Sequence, residues 1–516
     1  MKFNLSQSDI DAHMKLFPND EELRPTPAEL YGSVYGAEYG DLKFSKQCAA
    51  DITITVIFAF FLFLSIKAQT DIVENIDKSQ QTTQDYSVVI KHPPEFNQDG
   101  TEITAETFKQ FFSKFGEVAS VSITRKNGGL LRVISQREHL KSKITKMKLS
   151  LAAQGLLEGS QVSNLNEFQK FLQPYGYYED LNYLQSEFDK IDDLVSKMTT
   201  LKYKTWRVFI TFNRQHDQVN CIQKCFYNKT DKLKGIDPSH HAYFNGDVLN
   251  VKEAHEPSDV IYVMNDYSVT RQLISWATSF FVCIVVMVIN YYIINALLKT
   301  GGVAAPIFIS IINSGLPVLM KMLTMEVEIH YDNGNRQSSL LLKLVSVRCI
   351  NAAVLIYLAS PFDSTFALTR IQAVQNTLLA DAVLTPLLRI FDPYIFYLRY
   401  YLSRYATTQA EMNNLWRSQE WTLAERYTDI IKSIFMSFFY AVLLPSGLFI
   451  SCFTIISTYF LDKYSMFRIW RRPPLVGASL GIIARYFLMA TLWVHLITSR
   501  IYFANWPYTV RRMMIF

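Results

Sequence analysis

The chain has 516 residues, of which 49% are hydrophobic and only 19% are charged, and its formal net charge is +5. Soluble globular chains average about 25% charged residues, so this composition favours a protein that lies partly in lipid. The 19 glycines and 17 prolines are ordinary for this length, which excludes a collagen and a low-complexity chain. A net charge this small gives no argument for nucleic acid as a partner.

The first candidate for a membrane span lies close to the N-terminus. Residues 1–47 are polar, and Ile52–Ile66 then forms an uncharged run that ends at Lys67. The run begins too far into the chain for a signal peptide and has neither a basic start nor a small-residue cleavage site. We therefore predict a first transmembrane helix over residues 48–67.

Residues 68–272 contain no stretch that could span a membrane, and they predict a separate α+β domain. Runs of β-branched and aromatic residues predict strands, and helical periodicity predicts the helices between them. The predicted strands are Tyr86–Lys91, Val118–Thr124, Trp206–Phe212 and a last one near Val248–Lys252, and the predicted helices are Thr104–Phe115, Leu131–Leu157, Asn164–Leu201 and Gln215–Phe226. Without the two central helices, the order is β-α-β followed by β-α-β. This order predicts a split ferredoxin-like fold of the RNA-recognition type with a helical insertion.

The third predicted strand offers an alternative function for this domain. Lys204–Phe212 resembles the aromatic strand on which RNA-recognition modules stack bases. The glycine-aromatic signature of those modules is absent, however, and the long insertion would crowd the sheet. We therefore favour a structural domain docked on the membrane region and expect no nucleic-acid partner.

The stretch Arg125–Lys148 is strongly basic, with eight lysines and arginines against Glu138. Such a cluster between membrane segments favours contact with an anionic cytoplasmic leaflet. A solvated helix face is the alternative. Both interpretations predict that residues 68–272 lie in the cytosol.

Residues 273–498 predict a block of about six transmembrane helices, because a span needs about 20 mostly apolar residues. The candidates are Ile274–Leu298, Ala304–Leu323, Leu340–Phe362, Thr369–Ile390, Ile430–Phe460 and Leu475–Thr498, followed by a basic tail over residues 499–516. We expect Ile430–Phe460 to form one span with a tilt or a kink at Pro445. This topology puts Lys463 and Arg468 on the outer side, against the positive-inside rule. The sequence thus predicts an α-helical polytopic membrane protein with an inserted α+β cytosolic domain.

This order of elements resembles the OSCA/CSC family of osmosensitive, stretch-gated cation channels, which are relatives of anoctamins and TMC proteins. The likeness is carried by Asp85–Val89 with Pro93, Phe111–Ile123, Val251–Asn265 and Phe438–Tyr464. Its most specific piece is the run Glu256-Pro257-Ser258-Asp259 before Asn265, although Tyr262 stands where the family usually has a tryptophan. The likeness covers about residues 50–500. Family members usually carry two more helices before Ile52 and others after Thr498, so the resemblance implies a relative shortened at both ends.

The resemblance implies a calcium-permeable cation channel whose pore runs along the helices after the cytosolic domain. A cation path needs oxygen ligands and acidic groups, and the amphipathic segment Thr369–Ile390 offers both. The candidate pore-lining residues are Asn351, Gln372, Asn376 and Asp381. In the alternative, Asp381 forms a structural ion pair with Arg348 or Arg485, because buried charges are normally paired. Pro386 is a candidate kink in the same helix.

Two segments are candidates for sensing bilayer tension. One is the basic helix Leu131–Leu157. The other is the linker Tyr394–Asp429, whose tyrosines and tryptophans suit a segment that lies at the headgroups. Ordinary packing is the alternative explanation of these aromatic residues.

Nothing in the sequence indicates an enzyme, since the Walker, HExxH and GxSxG motifs are absent. Cys221 and Cys225 lie four residues apart, but no second Cys/His pair lies nearby in the sequence. Ordinary thiols are therefore favoured over a metal site. The acidic residues of the helical block are too scattered for a calcium site with six to eight oxygens. We expect no catalytic residues, no bound metal and no cofactor.

We therefore expect a mechanically or osmotically gated cation channel in the plasma membrane, with an endomembrane as the alternative location. Its expected partners are membrane lipids and permeant cations, and a homodimer is left open. Two other functions remain as alternatives. A polar groove along Thr369–Ile390 would suit a phospholipid scramblase. A non-conducting, membrane-tethered scaffold or RNA-binding protein would make Trp206–Phe212 the functional site.

Overall fold

The computed structural model describes residues 33–34, 37–38, 44–79, 81–96, 102–153, 173, 180–228, 240–300, 315–354, 368–390, 393–418, 421–471 and 479–504. These residues are mostly helical and include a small antiparallel sheet. Most of the predicted polar segment 1–47, most of the predicted tail 499–516 and residues 304–314 of the predicted span Ala304–Leu323 lie outside the described residues. Two strand pairs of two residues each, Ser33–Val34 with Ala37–Glu38 and Tyr243–Phe244 with Asp247–Val248, stand apart from the sheet.

The first helix, α1, extends over Phe44–Ser79 and contains the predicted first span. Its apolar side chains, among them Phe60, Phe61 and Phe63, are largely exposed. An exposed apolar surface of this kind is typical of a helix that contacts lipid or a partner rather than water.

The α+β domain contains a four-stranded antiparallel sheet, and the sequence predicted every one of its strands. The strands are β1 Ser87–Lys91, β2 Val118–Arg125, β3 Thr205–Phe212 and β4 Asn250–Glu253. The helices of the domain are α2 Ala105–Phe112, α3 Gly128–Ala153, α4 Leu181–Thr199 and α5 Gln215–Cys225. The strands lie side by side in the order β2-β3-β1-β4. Val89 of β1 pairs with Phe209 on one side and with Lys252 on the other.

The core of this domain lies between the sheet and the helices α2 and α5. Alternate side chains of a strand point to opposite faces, and the buried set Val208, Ile210 and Phe212 points to the helices. Phe108 of α2 and Cys221 of α5 pack against it. The remaining helices, α3 and α4, lie between β2 and β3 in the sequence and run antiparallel to each other, with Gly129 beside Met198 and Arg137 beside Asp192.

Among the described residues, the helices after the sheet domain include α6 Val269–Thr300, α7 Asn333–Cys349, α8 Leu368–Ile390, α9 Gln409–Trp416, α10 Leu423–Phe439, α11 Ser446–Arg468 and α12 Ser479–Ala504. Residues 315–322 are also helical. The chain makes π-helical turns over Leu323–Val327, Ile350–Val354 and Tyr397–Tyr401. Such turns are rare and often occur at functional sites.

Three helices in the described part of the chain are long and apolar enough to cross a membrane. They cover Cys48–Ile76 in α1, Val269–Ile293 in α6 and Ser479–Tyr502 in α12. Each of them contains or overlaps a span that the sequence predicted. Three of the other predicted spans, Ala304–Leu323, Leu340–Phe362 and Thr369–Ile390, stay predictions, and Leu340–Phe362 reaches beyond the described residues after residue 354.

The predicted single span Ile430–Phe460 is wrong, because the chain turns back within it. α10 ends at Phe439 and α11 begins at Ser446. The hydroxyl groups of Ser433 and Ser451 lie 3.0 Å apart, and the rings of Trp421 and Trp470 lie 6.1 Å apart. These two contacts show that α10 and α11 run antiparallel. Pro445, which lacks a backbone N–H group, stands immediately before α11 and suits the start of a new helix.

The sheet domain is docked on the helical block through β3 and the loop before α7. The indole ring of Trp206 lies 5.8 Å from the ring of Tyr331, and Arg207 Nη1 lies 3.6 Å from Asp332 Oδ1. The Asp259 carboxylate accepts a hydrogen bond of 3.0 Å from the N–H group of Gly334, in the first turn of α7. The glutamate-proline-serine-aspartate run therefore connects the sheet to a helix of the block.

Candidate functional site

Helix α10 carries three ionisable side chains at a spacing of three residues, and each pairs with a different helix. Arg426 lies 3.8 Å from Asp462 of α11. Asp429 accepts a hydrogen bond from Arg348 of α7. Lys432 Nζ lies 3.0 Å from Oδ2 of Asp381 in α8. We call these six side chains the polar seam.

The polar seam is largely shielded from solvent. The side chains of Lys432 and Asp381 are 8% and 17% exposed, and those of Arg348 and Asp429 are 10% and 15% exposed. Charges at such depth are tolerated only when they are paired and hydrogen-bonded. The pairs therefore hold α7, α8 and α11 around α10.

A small cavity opens beside two of these pairs. Its lining includes Asp381, Asp429 and Lys432, the hydroxyl side chains of Ser433, Thr454 and Thr458, and two isoleucines. The cavity measures about 20 Å³, which is the room of about one water molecule. In this conformation the charged groups of α8 and α10 therefore contact each other, and the cavity beside them is too small for a row of water molecules.

A second buried charge cluster lies between the sheet domain and the polar seam. Lys343 of α7 donates hydrogen bonds to Glu328 and, at 3.1 Å, to the hydroxyl group of Thr324. Ser339 donates to Glu328, and a ring nitrogen of His330 lies 2.8 Å from the same carboxylate. This cluster ties the π-helical turn Leu323–Val327 to α7.

Asn351 is the candidate pore residue with the least expected environment. It is fully buried in the π-helical turn Ile350–Val354, and neither its Oδ1 nor its Nδ2 has a hydrogen-bond partner among the residues that the structure describes. Leaving a buried amide unpaired costs about 1–3 kcal/mol, so such a group calls for an explanation. Asn351 lies one turn after Arg348, near the end of the polar seam.

The other three predicted pore residues lie on α8, which begins and ends close to the predicted bounds. Asp381 is in the polar seam. Asn376 is exposed on a face shared with Val383 and Leu387, so it does not join Asp381. Gln372 lies in α8, but its side chain is outside the described residues. The structure therefore brings Asp381 to the α10 side chains and leaves Asn376 apart from them.

Asp381 does form an ion pair, although with neither of the two predicted partners. Arg348 pairs with Asp429 instead. Arg485 of α12 lies 3.5 Å from the backbone carbonyl oxygen of Ile66 in α1. The partner, Lys432, was missed in the sequence because it lies near the start of the predicted span Ile430–Phe460. The available signal was the spacing of Arg426, Asp429 and Lys432, which places three charges along one side of a helix.

Pro386 lies inside the continuous helix α8 and is buried. A proline in a helix interior removes a backbone hydrogen bond and weakens the helix locally. It follows Asp381 by five residues, between the polar seam and the end of α8.

Both candidate tension sensors contact other parts of the chain. Of the basic residues in α3, Arg132 pairs with Asp266 at 2.6 Å and Arg137 with Asp192 at 3.2 Å. Lys146 pairs with Glu411 of α9 at 2.5 Å, so the basic helix touches the aromatic linker. The linker exposes a series of aromatic side chains: Tyr394, Phe396, Tyr397, Tyr400, Tyr401, Tyr405 and Trp416. Both segments therefore lie at the end of the helical block that faces the sheet domain.

The strand proposed for base stacking is largely occupied by internal contacts. Trp206 is 6% exposed and packs against Tyr262 and Tyr331. Phe212 belongs to the core between sheet and helices, and Phe209 is half-buried. β3 thus contributes its aromatic side chains to docking and to the core.

No protein-family model matches this sequence, and no curated protein matches it.

Proposed function

We propose that this protein is a mechanically or osmotically gated cation channel of the OSCA/CSC type, anchored in the membrane by its helices. The observation that carries the proposal is the polar seam: three ion pairs between four helices, inside a block whose other surfaces are strongly apolar. Ionisable groups inside a membrane-embedded bundle are expensive and commonly mark an ion pathway.

Asp381 and Asp429 provide the acidic groups that favour a cation over an anion. The hydroxyl groups of Ser433, Thr454 and Thr458 line the same cavity and provide neutral oxygen ligands that replace water of hydration. The amide of Asn351, in the π-helical turn that follows α7, supplies a further oxygen. Because the cavity holds about one water molecule, we infer that conduction requires α8 to move away from α10.

The sheet domain supports the resemblance that led to this proposal. We propose that it is a split ferredoxin-like domain, because its strand order β2-β3-β1-β4 and its two β-α-β halves fit that fold. In the sequence, this domain lies between the first apolar helix, α1, and the helical block. The run from Glu256 to Asp259 joins it to that block, as the resemblance implies.

The antiparallel arrangement of α10 and α11 supports a cytosolic position of this domain. Lys463 and Arg468 follow Asp462, which pairs with Arg426 near the start of α10. The helix that precedes α10 is tied to the sheet domain through Glu411. These basic residues therefore lie at the end of the block that faces the sheet domain, in agreement with the positive-inside rule.

The direct test is a patch recording of the purified chain in liposomes under stepped suction. The proposal predicts a cation current that grows with suction and reverses at the potential set by the cation gradient. No current from folded protein at any suction would overturn it. A dithionite assay of fluorescent lipid on the same liposomes provides the comparison: lipid exchange without current would favour a scramblase.

A further inference from the structure

The pair Lys432–Asp381 joins the two helices that border the cavity. Nζ of Lys432 lies 3.0 Å from Oδ2 of Asp381, and both side chains are largely buried. A lysine side chain ends in a compact ammonium group on a flexible four-carbon stem. At this distance the ammonium supplies Asp381 with the single positive charge that a permeant monovalent cation would otherwise supply.

The charges at the cavity cancel in this conformation. Two carboxylates, Asp381 and Asp429, face two side-chain cations, Lys432 and Arg348. With both carboxylates occupied, the described residues of the cavity leave no net negative charge for a mobile ion. Removing one of the side-chain cations would leave one carboxylate free to attract a cation from solution.

Lys432 is better suited than Arg348 to leave its partner. A guanidinium group binds carboxylates in a planar, directional manner, whereas an ammonium group is a point charge that can exchange partners. Lys432 also has Asp429 three residues earlier on the same helix, so a second carboxylate lies on its own side of α10. The cavity hydroxyls of Ser433, Thr454 and Thr458 remain as oxygen ligands when the ammonium moves.

We propose that Lys432 is a tethered counter-ion that closes the pathway by occupying Asp381, and that a permeant cation replaces its ammonium group when α8 and α10 separate. This inference rests on the proposed channel function and assigns its gating and charge selectivity to one pair of residues. Lys432 is a positioning and specificity-determining residue in this account, because it controls access to Asp381.

The experiment compares Lys432→Gln with the wild type in liposome patches under stepped suction. We expect the open probability at rest to rise roughly tenfold, as a shift of about 1.4 kcal/mol in a two-state equilibrium would produce, and the activation curve to move to lower suction. Lys432→Arg keeps the charge and should gate close to the wild type. Lys463→Gln removes the charge of an exposed lysine on α11 and serves as the matched control, which should gate as the wild type does.

The double variant Asp381→Asn/Lys432→Gln keeps the test decisive if Lys432→Gln alone fails to fold, because it leaves no unpaired buried charge. It should also open more readily at rest, but with a lower cation-over-anion preference than the wild type. If the wild type conducts but its gating and reversal potential are unchanged in Lys432→Gln and in the double variant, this inference alone is overturned. Silence of the folded wild type and of every folded variant would overturn the channel function, and this inference with it.

Discussion

Lys343 donates a hydrogen bond to Oε1 of Glu328, and neither side chain is exposed to solvent. His330 and Ser339 contact the other oxygen of the same carboxylate at 2.8 Å. Burial by itself raises the pKa of Glu328, but the hydrogen bonds from His330, Lys343 and Ser339 outweigh burial and hold the pKa below its ordinary value. The carboxylate is therefore ionised at neutral pH and fixes α7 against the turn before it.

Glu328→Gln should lower the free energy of unfolding by about 3–5 kcal/mol, since it leaves the ammonium group of Lys343 buried without its countercharge. The measurement is thermal unfolding of the detergent-solubilised protein. Glu425→Gln is the matched control: Glu425 pairs with Lys321 at 3.9 Å in a partly exposed position. Loss of such a pair should cost less than about 1 kcal/mol. Equal effects of the two substitutions would contradict this account.

The same carboxylate predicts how stability depends on pH. The pKa of Glu328 is lower in the folded protein than its ordinary value of 4.5, so the folded state favours the ionised form. The resulting stabilisation is complete above the ordinary pKa and is lost as the pH falls through the lower folded pKa. The unfolding temperature of the wild type should therefore fall more steeply below about pH 4.5 than that of Glu328→Gln. Parallel acid profiles would show that Glu328 does not contribute in this way.

Asp259 lies at the junction between the sheet and α7. Substitutions there separate two contributions to stability, that of its negative charge and that of its hydrogen-bond acceptor. Burial raises the pKa of its carboxyl group, even though the N–H group of Gly334 donates to it. Because the folded state then disfavours the ionised form, Asp259→Asn should be neutral or slightly stabilising at pH 7. Asp259→Ala loses the bond to the first turn of α7 and should cost about 1 kcal/mol.

Thermal unfolding measures both Asp259 variants, and hydrogen exchange of residues 333–336 reports docking directly. Faster exchange is expected for Asp259→Ala alone. Faster exchange in the asparagine variant as well would mean that the negative charge, and not the acceptor oxygen, holds the junction.

The hairpin of α10 and α11 predicts that Phe467 lies on the same side of the membrane as the sheet domain. Phe467 is near the end of α11, and its side chain is 78% exposed. Phe467→Cys and Lys141→Cys on α3 should react with an impermeant thiol reagent from the same side of sealed vesicles. The exposed native thiol of Cys452 is first replaced by serine. Labelling of the two positions from opposite sides would support a single kinked span instead.

Local patterns in the sequence identify most of the elements. The predicted strand Val118–Thr124 differs by one residue from β2, and the predicted helix Thr369–Ile390 differs by one residue from α8. Both segments have a clear period of apolar residues, which is a local property. The turn at residues 440–445 escaped prediction because its residues are as apolar as the helices on either side, so hydropathy does not distinguish a buried turn from a continuous helix.

The sequence predicts less of the candidate site than of the fold. That Asp381 would be paired follows from the general cost of a buried charge, whereas the identity of Lys432 as its partner depends on how α8 packs against α10. The exposed position of Asn376 depends on the same packing. The π-helical turn that holds Asn351 has no recognisable local sequence signal.

The most direct test of the central claim is the reversal potential of stretch-evoked current in wild-type and Asp381→Asn liposomes under a salt gradient. Even with the screening of bulk water, a unit charge 4 Å from a cation is worth about 1 kcal/mol, or roughly fivefold in occupancy. We predict a cation-selective current in the wild type and a reversal potential closer to zero in Asp381→Asn, with conductance reduced by about that factor. An identical reversal potential and conductance in both proteins would show that cations do not pass Asp381, and would contradict the assignment of the polar seam to the pathway.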